Sequence, residues 1–529
     1  MLCTPSYATG RLLRRSLVPV ALAAAACGEP PAAPSVPETR TASAKPSAPL
    51  KATPPQVKLS GIGATGTVSA TSTVPGAITA DISVPACASV SPRIVPKTPA
   101  KFTVTGRAGG TCLLTLTDAS GHTVQIPVTV AGTAAILRRT LVAGKYHSCG
   151  LTSAGAAYCW GLNDFGQLGT ATNVGTQTAN PTPLAVSGNL TFVSLAAGSA
   201  HTCGVTSTGA AYCWGSNYYG ELGTTTNNGT LTPITTPQAV GGGLAFASLT
   251  AGGTTYFQDE PGGDYTCGLT TAGAAYCWGR NDYGQLGIST NSGTLNANPT
   301  PLAVSGGLTF TALEASNAGG LSTCGISAAG AAYCWGSNYY GQLGNATGVG
   351  TQDATTSPTP VDGNLAFAGV WQGAAHGCGL TTSGVAYCWG DNLSGELGTA
   401  TNAGTNTPIT TPTAVSGGLG FTTLSVGGGF SCGLAAGAAY CWGVNRFSTL
   451  GIGSTDGDAH ASPLAVAGNL AFVALSSSPF HSCGLTAAGA AYCWGDNFGG
   501  ELGSSSNTGT NTGVPTPVAV GGGLTFAVP

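Results

Sequence analysis

CGLTSAGAAYCWGLNDFGQLG, residues 149–169, is the stretch on which the architecture turns. It returns with small changes from Cys203, Cys267, Cys324, Cys378, Cys432 and Cys483, at intervals of 54, 64, 57, 54, 54 and 51 residues. A period of this length marks one supersecondary unit used seven times. In most copies the unit reads C-G-L-x-x-x-G-x-A-Y-C-W-G-x-N-x-x-G-x-L-G, with Val or Ile replacing Leu in two of them.

Two short strands flank a turn at Ser153-Ala154-Gly155. Setting Cys149 opposite Cys159 pairs 150 with 158, 151 with 157 and 152 with 156, and leaves a three-residue loop. Such loops combine a type I turn with a left-handed residue, and Gly155 stands where that residue is needed. The sixth copy, Cys432 to Cys441, is one residue shorter. Its loop becomes Ala436-Gly437, a two-residue hairpin that keeps the cysteines opposed.

Opposed residues on neighbouring antiparallel strands lie within disulfide reach. The expected bridges are Cys149–Cys159, Cys203–Cys213, Cys267–Cys277, Cys324–Cys334, Cys378–Cys388, Cys432–Cys441 and Cys483–Cys493. An eighth pair, Cys87 and Cys112, lies upstream. An even, regularly paired set points to an oxidising compartment.

After each hairpin come a Trp-Gly pair and an Asn that can bond local backbone in a turn. Polar Thr/Asn/Gly stretches and further strand-like segments such as PLAVSGNLTFVSLAAG complete the period. Each period therefore supplies about four strands, the pattern of a propeller blade. The repeat resembles that of the regulator of chromosome condensation family. The resemblance covers 133–529 and implies a seven-bladed β-propeller. The C-terminal GGGLTFAVP repeats the start of a unit, whereas the first unit has Arg138 where later copies have Phe. The last strand is thus expected to complete a blade with N-terminal strands and close the ring.

Residues 1–27 look like an export signal. Arg11, Arg14 and Arg15 precede an apolar run, Ser16 to Ala26, too short to span a bilayer. Ala24-Ala25-Ala26-Cys27 resembles a bacterial lipobox, although Ala24 replaces its usual Leu. Lipidation of Cys27 is expected, with Gly28 favouring outer-membrane or surface delivery; simple secretion is the alternative. Residues 28–56, rich in Pro, Ala, Ser and Thr, read as a disordered tether. In 57–132 the runs KFTVTG, TCLLTLTD and TVQIPVTV alternate apolar and polar residues. They imply a small β-sandwich resembling the bacterial immunoglobulin-like domains. The whole chain is expected to be all-β.

Residues 133–529 carry five Lys/Arg against 15 Asp/Glu, a net charge of −10. A surface that acidic repels phosphate backbones, so nucleic acid is not an expected partner. No HExxH or phosphate loop occurs, and acids are scattered singly. No catalytic residue and no cofactor is assigned. Two residues before the first Cys of each copy stand His147, His201, Tyr265, Ser322, His376, Phe430 and His481. Four histidines at equivalent places invite a metal hypothesis. The family resemblance implies a structural role instead, and no metal is assigned.

The third copy carries the longest insertion, TTYFQDEPGGDY at 254–265. Its Tyr256, Phe257, Asp259, Glu260 and Asp264 combine aromatic and acidic groups on a loop and are the candidate partner-binding residues. The expected function is that of a non-enzymatic, monomeric binding module, lipid-anchored at the cell envelope, that presents propeller loops to a protein or glycan. The alternatives are a polysaccharide-directed propeller enzyme, which would need acids and His or Tyr converging on one open channel, and a purely structural envelope protein.

Overall fold

A computed structural model describes residues 50–59, 65–83, 88–106, 110–130, 139–253 and 264–529. The export segment with Cys27, most of the tether, Cys87, and Tyr256, Phe257, Asp259 and Glu260 lie outside the described residues.

Nine strands build the first sheet pair: β1 (Leu50–Thr53), β2 (Val57–Leu59), β3 (Thr65–Ser72), β4 (Ile78–Ile82), β5 (Ala88–Ser91), β6 (Ile94–Val95), β7 (Ala100–Gly106), β8 (Gly110–Thr117) and β9 (Thr123–Val130). They form sheets of order β1-β3-β7-β5 and β2-β9-β8-β4-β6. Alternation puts Val68, Phe102 and Val104 of one sheet and Ile78, Leu114, Leu116 and Ile126 of the other into a common core. Cys112 is buried in the same core. The sandwich starts earlier than the sequence reading has it. Leu50, within the stretch read as tether, is buried, and β1 pairs with β3 from Leu50↔Ser72 to Thr53↔Ser69. One four-residue strand beside Pro54-Pro55 is too short a periodic signal to separate from a Pro-rich linker.

The repeats form seven four-stranded antiparallel sheets among the described residues. In the first, β10 (Leu141–Ala143), β11 (His147–Leu151), β12 (Ala157–Gly161) and β13 (Asn180–Ala185) lie side by side in chain order. Sheets two to seven span 194–239, 246–303, 310–360, 367–414, 423–465 and 472–519. The hairpin register is Cys149↔Cys159, Gly150↔Tyr158 and Leu151↔Ala157. Gly155 has φ 80°, and its N–H donates to the Thr152 carbonyl at 2.8 Å. In the sixth sheet Ala436 and Gly437 both have positive φ, 50° and 83°, the signature of a two-residue type I′ turn. A disulfide joins the opposed cysteines of every hairpin, with Cα atoms 4.1 Å apart.

Neighbouring sheets pack through tryptophan. Trp214 of sheet two lies in one core cluster with Cys149, Leu168 and Phe192. Its Nε1–H donates to the Gln167 carbonyl of sheet one at 3.0 Å. The same bond runs from Trp278 to Glu221, Trp335 to Gln285, Trp389 to Gln342, Trp442 to Glu396 and Trp494 to Thr449. Trp160 of sheet one makes it to Glu501 of sheet seven at 2.9 Å, so the last sheet adjoins the first. The four named strands of each of these two sheets are consecutive in the chain. As the C-terminal sequence leads one to expect, the last segment also pairs with sheet one: Phe526 forms an antiparallel bridge with Thr152, and the Ala527 N–H donates to the Leu151 carbonyl at 2.7 Å. The same segment contributes a side chain: Phe526 packs against Trp160 and over Gly150, while its N–H donates to the Gly489 carbonyl of sheet seven. Phe192 does the same between sheets one and two, with its N–H on the Gly155 carbonyl and its ring on Trp214.

Candidate functional site

In every sheet the loop from the first strand to the second and the loop from the third to the fourth emerge at the same end. The first sheet shows why: Ala143 pairs with Ser148, and His147 with Gly161. The disulfide hairpin turns lie at the opposite end. Two features meet at the loop end, a buried set of polar links between sheets and an outer row of turns that differ from copy to copy.

The buried links account for the histidines. His147 Nε2 lies 2.8 Å from Thr202 Oγ1 of the next sheet, and Thr202 Oγ1 donates to the Gln167 carbonyl at 2.9 Å. A hydroxyl has one hydrogen, so here it accepts from the imidazole Nε2–H. The chain recurs as His201–Thr266–Glu221, His376–Ser431–Glu396 and, across the first–last junction, His481–Ser148–Glu501. Each carbonyl thus accepts both the hydroxyl and the tryptophan. Burial pushes His147, His376 and His481 down to about 3, with His201 and His481 adding to the effect at His147. They are neutral imidazoles. Where the histidine is absent, the partners change with it. Tyr265 donates to the Ser322 carbonyl, Ser322 meets Gln372, and beside Phe430 the Ser482 hydroxyl turns to Ser477.

Asp264, expected to be a partner-binding residue on a loop, is not at the surface. It is fully buried: Oδ2 lies 3.0 Å from His201 Nδ1 and accepts from the Ala200 N–H at 2.8 Å. Asp264, His201 and Thr266 have the connectivity of a hydrolase triad. The Thr266 hydroxyl hydrogen is engaged by the Glu221 carbonyl, and all three residues are sealed from solvent, so the arrangement ties sheet two to sheet three. Among the described residues no group of three or more His, Cys, Asp or Glu could hold a metal ion.

The outer turns share one frame. Asn163 Nδ2 donates to the Thr170 and Thr172 carbonyls at 2.8 and 2.7 Å, and Oδ1 accepts from the Leu168 N–H. Asn217, Asn281 and Asn392 make the same three bonds. On this frame the two residues after Asn vary: Asp-Phe, Tyr-Tyr, Asp-Tyr, Tyr-Tyr, Leu-Ser, Arg-Phe and Phe-Gly. Tyr339 and Tyr340 are 42% and 46% exposed, Leu393 44% and Phe498 36%. A ladder of rings crosses from sheet six to sheet one: Phe447 edge-on to Phe480 at 5.6 Å, and Phe480 stacked on Tyr146 at 5.4 Å. Arg446 and Lys145 sit over its two ends. Burial, then the charges of Asp496, Glu501 and Asp164, push the Tyr146 phenol up to about 12.

The glutamates at the loop end are buried too. Glu221, Glu396 and Glu501 stand where other copies have Gln167, Gln285 and Gln342. Each accepts a backbone N–H at 2.7 Å. Burial pushes Glu221 up to about 7, and Glu396 and Glu501 up to about 8. Glu501 Oε1 has no hydrogen-bond partner.

The innermost strands enclose a channel, and none of the histidines lines its cavities. Asn317 of sheet four reaches across to the Ala143 carbonyl of sheet one at 3.1 Å. Farther along, Arg139 meets Glu314 in an ion pair between the same two sheets.

Comparison with known proteins places these repeats. Models of the regulator of chromosome condensation (RCC1) repeat match residues 139–167, 192–221, 262–285, 372–396 and 472–501, and, in a second form, 154–205 and 329–381. These segments are thus similar to RCC1 repeats. The human E3 ubiquitin-protein ligase HERC2 is 27% identical over 354 residues, which are 67% of this chain and 7% of HERC2. The ultraviolet-B receptor UVR8 of Arabidopsis thaliana is 26% identical over 273 residues, 51% of this chain and 57% of UVR8. The chain thus spans a small part of the ligase and about half of the receptor. Among solved structures, yeast RCC1 (Prp20) bound to Kap60 superposes with a TM-score of 0.59 at 18% identity, covering 73% of this chain and 86% of Prp20. Saccharomyces cerevisiae Prp20p, described with its binding to Gsp1p and histones, gives 0.59 at 19%, covering 74% and 90%. The fold of the repeat region is that of the RCC1-type propellers.

Proposed function

We propose that the repeats form a closed seven-bladed propeller whose loop end is a docking face for a partner protein, with no turnover of its own. The observation that carries this reading is the set of outer turns: one Asn-locked backbone frame displays different side chains, several of them exposed aromatics. A rigid frame with variable, aromatic-rich tips has the composition of a recognition surface. The titratable groups that could serve catalysis are engaged elsewhere, the histidines in sheet-to-sheet links and Glu314 with Arg139. Relatives with the same fold are described by the proteins they bind, Kap60, Gsp1p and histones for Prp20. Those partners are not carried over to this chain.

The segment upstream completes the reading. The two-sheet sandwich is proposed to be an immunoglobulin-like spacer, and residues 1–27 a lipoprotein signal ending in lipidated Cys27, which would tether the module to the outer membrane or cell surface. No helix among the described residues is long and apolar enough to cross a membrane. Mass spectrometry of the mature N-terminus tests the anchor: diacylglycerol on Cys27 is expected, and an unmodified N-terminus elsewhere overturns it. Affinity capture from envelope extract tests the docking face. A partner retained by the native chain and lost when Tyr339 and Tyr340 become Ser supports it; retention by that variant and by a chain with 254–263 replaced by Gly/Ser contradicts it.

A further inference from the structure

The innermost strands also hold departures from the repeat. The residue paired with the first cysteine of each hairpin faces the channel, and in five sheets it is small: Val142, Ala196, Thr250, Ser425 and Ser476. In the other two it is Glu314 and Trp371. Arg139, the one charged residue at its own place in the repeat, enters the same space from the start of sheet one. Three departures from the repeat thus converge, although 175 residues separate Arg139 from Glu314 in the chain.

They do not merely fill the channel. A cavity of about 240 Å³ and another of about 250 Å³ adjoin the cluster, and Arg139, Glu314 and Trp371 line both. The Arg139 and Glu314 side chains keep 25% and 15% of their surface, so solvent reaches them. Gly369 makes the indole's position possible, since a Cβ there would lie 2.7 Å from the Trp371 ring. The hydroxyl hydrogens of Thr311 and Thr422 are engaged by the Ile326 and Leu434 carbonyls, which leaves their oxygens as acceptors.

We propose that this cluster is a binding site for a neutral monosaccharide. The apolar face of a pyranose ring matches an indole, and vicinal hydroxyls can accept from a guanidinium while donating to a carboxylate. The ion pair is neutral as a unit. An anion would leave Glu314 uncompensated and a cation would leave Arg139 so, whereas a polyol leaves the pair intact. The size agrees: an engineered cavity of about 150 Å³ takes up benzene, and one about half as large again suits a single sugar ring. This site is independent of the outer turns.

Trp371 also provides the readout. The other seven tryptophans are fully buried, so acrylamide quenching of tryptophan emission reports on Trp371. With the full chain, D-glucose, D-galactose or N-acetyl-D-glucosamine is expected to protect Trp371 saturably. Glu314→Gln, which keeps the indole and the shape, is expected to weaken that protection roughly tenfold. Trp371→Ala is expected to abolish retention of the radiolabelled sugar in equilibrium dialysis. Protection by acetate or glycine in place of the sugars overturns the proposal, as does unchanged quenching with every sugar or an affinity untouched by Glu314→Gln.

Discussion

Phe526 rests on Trp160 with ring centroids 5.7 Å apart, although 366 positions of sequence numbering lie between them. Elsewhere the equivalent phenylalanine immediately precedes or begins the first strand of its own sheet, as Phe192 does for Trp214 at 5.7 Å. Sheet one has Arg138 in that place in the sequence and takes its phenylalanine from the C-terminal segment.

Phe526→Ala should therefore cost about 3–5 kcal/mol, as for other buried phenylalanines. Phe192→Ala should cost a similar amount. Chemical denaturation of both variants checks this. A cost under about 1 kcal/mol for Phe526→Ala would mean that the junction is held by other contacts.

Ser148 accepts from His481 and donates to the Glu501 carbonyl at the same junction. Ser148→Ala leaves the His481 Nε2–H without its acceptor, and a loss of about 1–3 kcal/mol is expected. In the double variant Ser148→Ala/His481→Phe the penalty should fall, because no orphaned donor remains. Thermal melts of both single variants and the double variant decide the matter, and a double variant worse than the sum of its parts contradicts the pairing.

The histidines make stability depend on acid. His147, His376 and His481 have folded-state values near 3, below the ordinary 6.5. Below about pH 6 the unfolded chain binds protons that the fold refuses. Each histidine then withdraws about 1.4 kcal/mol per pH unit until its folded value is reached. Denaturation midpoints should fall steadily from pH 6 to pH 4, with a shallower slope in His376→Gln. An equal slope in that variant would rule out a neutral buried imidazole at this place.

Glu501 behaves in the opposite sense. Its folded value near 8 lies above the ordinary 4.5, so the fold holds a proton that the unfolded chain releases. Its contribution is lost progressively as pH rises from about 4.5 to 8. Glu501→Gln places here the residue found at 167, 285 and 342 and removes the repulsion from Asp496. A gain of about 1 kcal/mol at pH 8 that shrinks toward pH 5 is expected in guanidinium titrations. A loss at pH 8 would show that the carboxyl group makes a favourable contact there.

Much of the scaffold was legible because the relevant signals are local. Gly155 marks its own turn, the deletion in the sixth copy predicts its own two-residue loop, and Asn163 bonds only its own segment. The ring's contents were not legible. Arg139, Glu314 and Trp371 read as isolated departures until closure of the sheets brings them together. The hydroxyl before each first cysteine was visible in six copies, yet its role depends on a histidine in the sheet before it. Asp264 shared the polarity of its loop, and only the fold reveals that it is buried against His201.

On the proposed reading, the repeats hold a frame rigid while the differing turns at its loop end recognise a protein. The most direct test compares partner affinity for three chains of equal thermal stability: native, Tyr339→Ser/Tyr340→Ser, and Val385→Ser, whose exposed side chain lies at the opposite, hairpin end. A loss of roughly tenfold or more for the tyrosine variant, with native affinity for Val385→Ser, is predicted. Native affinity in the tyrosine variant with a loss in Val385→Ser would move recognition to the hairpin end and contradict the account.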